Sequence, residues 1–281
     1  MMRTINVAEI TDAVARLCVE ANTLLGADIV EAFKACAATE PSTTGVDVLN
    51  QLLLNAEIAA ETKMPLCQDT GYAVVFIDLG QEVALSGGDL TGAVNEGVRR
   101  GYRDGYLRKS IVADPLRRVN TGDNTPAAIH VRIVPGDRVR ITVAPKGGGS
   151  ENMSGIAMLK PSEGLEGVKK FILEKVVAAG SNPCPPIIVG VGLGGTMEVA
   201  AINAKRSLLR ELGHRNPDEY YAKLEQELLD SINRLGVGPM GLGGNTTALE
   251  VFIETYPCHI ASLPVAVNIQ CHSARHKEAT L

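Results

Sequence analysis

Apolar residues recur at helical spacing through the first 64 positions. Ile10, Val14, Leu17 and Cys18 form one stripe, and Val30, Phe33 and Ala37 a second; after the turn Pro41-Ser42-Thr43-Thr44-Gly45, Val48, Leu52, Asn55 and Ala59 form a third. The spacing predicts an N-terminal portion that is wholly helical. At Pro65 this period stops, and Tyr72 to Ile77 is a β-branched and aromatic run suited to a buried strand. A helix is then expected over 90–107, followed by strands over 128–134 and 138–144 joined as a hairpin by Pro135-Gly136-Asp137. Further on, a helix over 165–179 leads to a strand at 187–191. Helices over 197–212 and 217–235 and strands over 248–253 and 264–269 complete the pattern. The expected fold class is α/β (α+β), with a helical portion over 1–64 and a mixed β-sheet core flanked by helices over 65–281. No repeat or linker interrupts it, so a single domain over 1–281 is expected.

Composition narrows the function classes. A chain of 281 residues can bury a large core, and 45% hydrophobic with 21% charged residues is ordinary for a globular protein. A net charge of −5 and a pI near 5.6 argue against nucleic-acid or anionic-membrane partners, which require a basic face. The longest apolar runs, such as Ile187 to Val191, are too short to cross a bilayer, and the N-terminus lacks the apolar block of a signal peptide. A cytoplasmic location follows as an expectation. There the six cysteines are expected to be reduced, metal-bound or buried rather than paired. Cys18 and Cys36 fall within helices and read as small buried hydrophobes.

The remaining candidate chemistry clusters at strand ends. Cys67-Gln68-Asp69-Thr70-Gly71 puts a thiol, an amide, a carboxyl and a hydroxyl on successive residues of a loop before a strand. Lys146-Gly147-Gly148-Gly149-Ser150-Glu151-Asn152 could turn consecutive backbone N–H groups toward an anion beside a lysine. Asn182-Pro183-Cys184-Pro185-Pro186 holds a cysteine among prolines, again before a strand. Gly190 to Gly195 matches G-x-G-x-x-G, but no second strand ending in an acidic residue follows, so close helix–strand packing is expected rather than a dinucleotide.

Cys67, Cys184 and Cys271 lie 117 and 87 residues apart, with none of the short spacings of zinc ribbons or ferredoxins. Each could reach one centre from a different strand end, and three thiolates on a cubane cluster would leave one iron open to substrate. Two alternatives remain open on the residues alone. Cys258, Cys271, His272 and His276 could compose a zinc site, or the chain could carry a non-catalytic electron-transfer cluster.

In this order, Cys-Gln-Asp-Thr-Gly, Lys-Gly-Gly-Gly-Ser-Glu-Asn, Asn-Pro-Cys-Pro-Pro and the Cys271 segment resemble the class I fumarase and tartrate dehydratase family of iron–sulfur hydro-lyases. The likeness runs from about residue 40 to the C-terminus and is strongest to the alpha subunit of two-subunit fumarate hydratases. It implies a [4Fe–4S] cluster held by Cys67, Cys184 and Cys271. It also implies substrate contacts from Gln68 and Asp69, with Asp69 in proton transfer, a backbone contact from Gly149, a site histidine at His259 and a site arginine at Arg108. Lys146, Arg108 and the glycine-loop amides could balance a dicarboxylate. The implied reaction is reversible hydration of fumarate to malate, with tartrate dehydration as the alternative. Longer family members continue into a second domain. The implied partner is therefore a separate beta subunit in a hetero-oligomer or dimer, without which this chain is expected to be inactive.

Overall fold

A computed structural model describes residues 2–281. In chain order its elements are β1 (Arg3–Asn6), α1 (Val7–Thr23), α2 (Ala27–Thr39), α3 (Thr43–Thr62), β2 (Tyr72–Gly80), β3 (Val83–Ser86), α4 (Leu90–Asp104), β4 (Ala128–Val134), β5 (Val139–Lys146), α5 (Gly148–Glu151), β6 (Gly155–Leu159), α6 (Gly164–Ala179), β7 (Ile187–Gly194), α7 (Met197–Ser207), α8 (Glu219–Asn233), β8 (Ala248–Tyr256), β9 (Leu263–Gln270) and β10 (Lys277–Thr280). The fold class is α/β, as the hydrophobic pattern predicts. The chain forms two compact units, one of residues up to 26, 56–148 and 275–281, the other of residues 27–55 and 149–274.

The first unit is built on a four-stranded sheet in the order β10-β5-β2-β4. Ala73, Val75 and Ile77 of β2 and Val139, Ile141 and Val143 of β5 meet Ile10, Val14 and Leu17 of α1 and Val94, Val98 and Tyr102 of α4 in one core. Removing this apolar face from water is the main stabilising term. The expected hairpin is not found. β4 pairs with β2 in parallel and β5 pairs with β2 antiparallel, so β2 lies between the two strands that were expected to be neighbours. β2 is buried along most of its length and can satisfy hydrogen bonds on both edges, whereas β4 has no fully buried residue and suits an edge. The link at 135–138 steps over the end of β2, accepting from Gly80 N (2.8 Å to Arg138 O) and Glu82 N (3.0 Å to Gly136 O). Two inter-strand spacings are about 9.6 Å, which four extended residues span easily.

The N-terminal portion is not wholly helical either. Arg3–Asn6 pair in parallel with β3, with Ile5 buried, and Asn6 ends the strand by capping α1. Its side chain accepts from Ala8 N (2.9 Å), while Glu9 accepts from Asn6 N (3.1 Å) in a capping box.

The second unit carries the sheet β6-β9-β7-β8. α6 and α8 cover one face through Val168, Ile172, Leu228 and Ile232, and the small residues Ala200 and Ala204 of α7 pack with Ala266. The glycine pattern of β7 serves this contact. A Cβ on Gly190 would lie 2.2 Å from Ala204 O, and one on Gly192 1.9 Å from Ala200 O. Helix and strand therefore pack backbone to backbone, as expected in place of a dinucleotide site.

Glu40, just past α2, organises the loop that leads into β8. Its carboxylate accepts from Ser42 N (3.1 Å), Asn245 N (3.0 Å), Thr246 N (2.7 Å) and Thr246 Oγ1 (2.6 Å). Burial alone would raise the Glu40 carboxyl, but the Thr246 hydroxyl and the three amides outweigh it and hold it below its ordinary value of 4.5. The stabilisation is therefore complete above that value and is lost as pH falls through the folded-state value. Glu40→Gln is expected to cost about 1.5–3 kcal/mol at neutral pH in urea unfolding. The difference from the parent protein should shrink as the titration is taken below about pH 4.

Candidate functional site

Each motif loop is held by its own unit. In the first unit, Leu66 N donates to Asn22 O (2.8 Å), and the buried Leu66 side chain packs on Ala56 and Ala59, fixing the chain just before Cys67. Cys67 is half-buried and Gln68 exposed, with the Cys67 thiol 3.5 Å from Gln68 Oε1. Asp69 uses both carboxylate oxygens. Oδ1 accepts from Gly71 N (2.9 Å) and Oδ2 from Gly148 N (2.7 Å). The glycine-loop amide expected to face an anion is thus engaged by a carboxylate of the Cys67 loop.

Donors from behind hold the next two residues. The buried Tyr102 hydroxyl donates to Thr70 O (2.7 Å) and lies 3.0 Å from Gly71 O, and Asn124 Nδ2 donates to Gly71 O (3.2 Å). Burial pushes the Tyr102 hydroxyl far above its ordinary value, so it remains a donor. Thr70 Oγ1 donates to Arg108 O (3.1 Å), which brings the Arg108 backbone to the loop while its side chain stays exposed. Lys146 is buried at the end of β5, opposite Tyr72 in register.

Sequence reasoning missed Arg275. Its side chain is 2% exposed, and Nη2 donates to Asp69 O (2.6 Å), whereas Nε and Nη1 are buried without a hydrogen-bond partner. A guanidinium does not shed its proton, and each unsatisfied buried donor costs about 1–3 kcal/mol. A lone arginine near a C-terminus reads as a solvated residue, and no sequence signal distinguishes it from one.

In the second unit the antiparallel pair β7–β9 sets Ile188 opposite Gln270, so the Cys184 loop and Cys271 share one end of the sheet. His272 N donates to Cys184 O (3.2 Å), joining the two loops. Pro183, Pro185 and Pro186 are buried while Cys184 is exposed and held at φ +55°. That left-handed backbone costs a non-glycine residue about 1–3 kcal/mol. Met240 N donates to Pro185 O (2.7 Å), so the Glu40-ordered loop also supports this cysteine. The Cys271 thiol lies 3.2 Å from Ser273 Oγ.

The Gly149 stretch belongs to the same end. Ser150 Oγ approaches Gln270 Oε1 (3.5 Å), and Glu151 pairs with Lys205 (2.6 Å) and accepts from Asn268 Nδ2 (3.2 Å). A Cβ on Gly149 would stand 3.1 Å from Asn182 O.

His259 and Cys258 lie elsewhere. They precede β9 and Cys271 follows it, so at about 3.3 Å per residue the strand separates them by about 23 Å. His259 instead lines an open groove with Cys258, Tyr220 and Tyr221, its Nδ1 accepting from Ala261 N (3.1 Å). The same distance removes the zinc alternative, because Cys258 and Cys271 cannot share an ion. Among the described residues no group of three or more His, Cys, Asp or Glu side chains could hold one metal ion. All six cysteines are unbridged, and burial pushes the Cys18 thiol up to about 12, which leaves it an inert core residue.

Comparison with known proteins agrees with the motif order. The fumarate hydratase (Fumerase) family profile matches residues 11–280. A Methanocaldococcus jannaschii chain with the provisional name L(+)-tartrate dehydratase subunit alpha is 45% identical over 274 residues, covering 95% of each chain. The L(+)-tartrate dehydratase subunit alpha of Escherichia coli strain K12 is 34% identical over 279 residues, covering 98% of this chain and 91% of its own. The chain belongs to the fumarate hydratase (Fumerase) family of hydro-lyases.

Proposed function

We propose that this chain is the alpha subunit of a two-subunit hydro-lyase that interconverts fumarate and malate, with Cys67, Cys184 and Cys271 as the thiolate ligands of a [4Fe–4S] cluster. The observation that carries this reading is the pairing of the Cys184 loop with Cys271 at one end of the β7–β9 sheet, tied by the His272 to Cys184 hydrogen bond. The donor set fits the group. Soft thiolates on rigid loops suit iron–sulfur ligation, and the proline-locked, exposed Cys184 is presented without freedom to exchange partners. When bound, the cluster supplies a Lewis-acidic iron that lacks a cysteine and can take a hydroxyl or carboxylate oxygen.

The protein's own residues handle orientation and the proton. Asp69 is held by two backbone amides, so its remaining lone pairs point in a fixed direction and can accept or return a substrate proton. Gln68 is exposed beside it and offers an amide to a substrate carboxylate. The Gly149 amide and the exposed Arg108 side chain are further candidates for that dianion, whereas the burial of Lys146 suits a long-range countercharge better than direct contact. His259 does not join Cys184 and Cys271 in this arrangement.

L(+)-tartrate is the second reading, favoured by the names of the relatives. Malate and tartrate both lose a hydroxyl on the carbon next to a carboxylate, so the same residues serve either. The subunit designation of those relatives supports a separate beta subunit, and unbridged cysteines suit a reducing cytoplasm.

Anaerobic reconstitution is expected to load iron and sulfide onto the parent chain and onto Cys258→Ser, but not stably onto Cys67→Ser, Cys184→Ser or Cys271→Ser. Loss of iron from Cys258→Ser as well would point to a four-cysteine electron carrier. The loaded chain mixed with its beta subunit should turn over fumarate faster than either tartrate, and the loaded chain alone should not turn over. A faster rate with L(+)-tartrate would transfer the assignment to the second reading. In the active pair, Asp69→Asn is expected to lower kcat by about 10²–10⁴-fold with iron content unchanged.

A further inference from the structure

Arg275 is a buried cation with no carboxylate within ion-pair distance among the described residues, and its single hydrogen bond goes to the carbonyl of Asp69. Nothing in the proposed chemistry uses its charge. Asp69's carboxylate is engaged by the Gly71 and Gly148 amides and forms no ion pair with it. The neighbouring backbone is kept bare. A Cβ on Gly147 would stand 3.3 Å from Asp69 Oδ2 and 3.6 Å from Arg275 Nη2. An arginine carries a fixed positive charge, so its field reaches the Cys67–Asp69 loop without being tied up in an ion pair. The hydrogen bond meanwhile fixes the peptide that carries Asp69.

We infer that Arg275 is a positioning residue whose unpaired charge stabilises an anion bound at the Cys67–Asp69 loop. The inference rests on the proposed function, which supplies two sources of the same chemistry: the net negative charge of a cubane cluster on three thiolates, and the carboxylates of the substrate. A charged side chain kept for the fold is expected to be fully partnered, as the Glu225 carboxylate is by the donors of Arg210, Asn216 and Ile253. Arg275 is unmatched until an anion arrives nearby.

The test uses the full chain with its beta subunit, as parent, Arg275→Met and Arg275→Lys. Iron and sulfide per chain, the affinity for L-malate, and the melting temperature before cluster loading are measured. Arg275→Met should melt no lower than the parent before loading, because a poorly satisfied buried charge has been removed. It should then either retain less iron, which assigns the anion to the cluster, or hold full iron and bind malate at least about tenfold more weakly, which assigns it to the carboxylates. Arg275→Lys should restore most of whichever property is lost. Unchanged iron and malate affinity in Arg275→Met would overturn the inference. So would a variant that fails to fold or melts lower before loading, since Arg275 would then be structural. Equal losses in Arg275→Lys and Arg275→Met would also overturn it, because charge would not be what matters. A parent protein that neither loads iron nor binds malate would bring down the proposed function first, a pattern distinct from a defect confined to the variants.

Discussion

Asp69 is the residue through which the motif loops of the first unit are joined. One carboxylate oxygen holds Gly71 at the entrance of β2, the other holds Gly148 past the end of β5, and the backbone carbonyl is held by Arg275 from the C-terminal segment. Three segments far apart in sequence are thus joined through one residue. A carboxylate that accepts two backbone N–H bonds is well satisfied and immobile, and an immobile carboxylate is what proton transfer at a fixed substrate atom requires. The residues on either side follow from this. Gln68 and Cys67 lie between this held peptide and Leu66, whose N–H donates to Asn22 O, and Tyr102 and Asn124 hold the carbonyls of Thr70 and Gly71 that follow.

The second unit solves the same problem with a sheet. Antiparallel pairing of β7 and β9 forces the start of one and the end of the other to the same edge, so two cysteines 87 residues apart are neighbours by topology. Rigidity then comes from different means for each. Cys184 is immobilised by prolines and by the loop that Glu40 ties down, while Cys271 emerges directly from a buried strand. This arrangement also separates Cys258 from Cys271, because the strand that delivers one carries it away from the other.

What was legible in the sequence was local. The runs that become β2, β7, β8 and β9, the long helices and the strand-end positions of the cysteine loops all follow from periodicity and turn residues. Strands of four or five residues such as β3, β6 and β10 are too short to show a period. The pairing of β4 and β5 with β2 rather than with each other depends on a strand nearly fifty residues upstream of β4, which a turn between β4 and β5 cannot reveal. His259 shows the same limit. Twelve residues from Cys271 looks close on paper, but eight of those are extended in β9. Arg275 was hidden for another reason, since burial without a partner is a property of the surroundings and leaves no mark on the residue itself.

Two unfavourable local terms fall in or beside these motifs. Cys184 sits at a left-handed backbone angle without being glycine, and Arg275 is the one charged side chain among the described residues with buried, unpartnered donor atoms. The buried carboxylates Glu225 and Glu40 are, by contrast, well matched. Glu225 has no exposure and three donors, and Glu40 has four. Selection for stability alone would remove both defects, by glycine at 184 and an apolar residue at 275. Their persistence is accounted for if each has a purpose in the loaded protein, one presenting a thiolate and the other offsetting negative charge, while well-satisfied groups such as Glu40 and Asp69 keep the surrounding loops from relaxing away from that geometry.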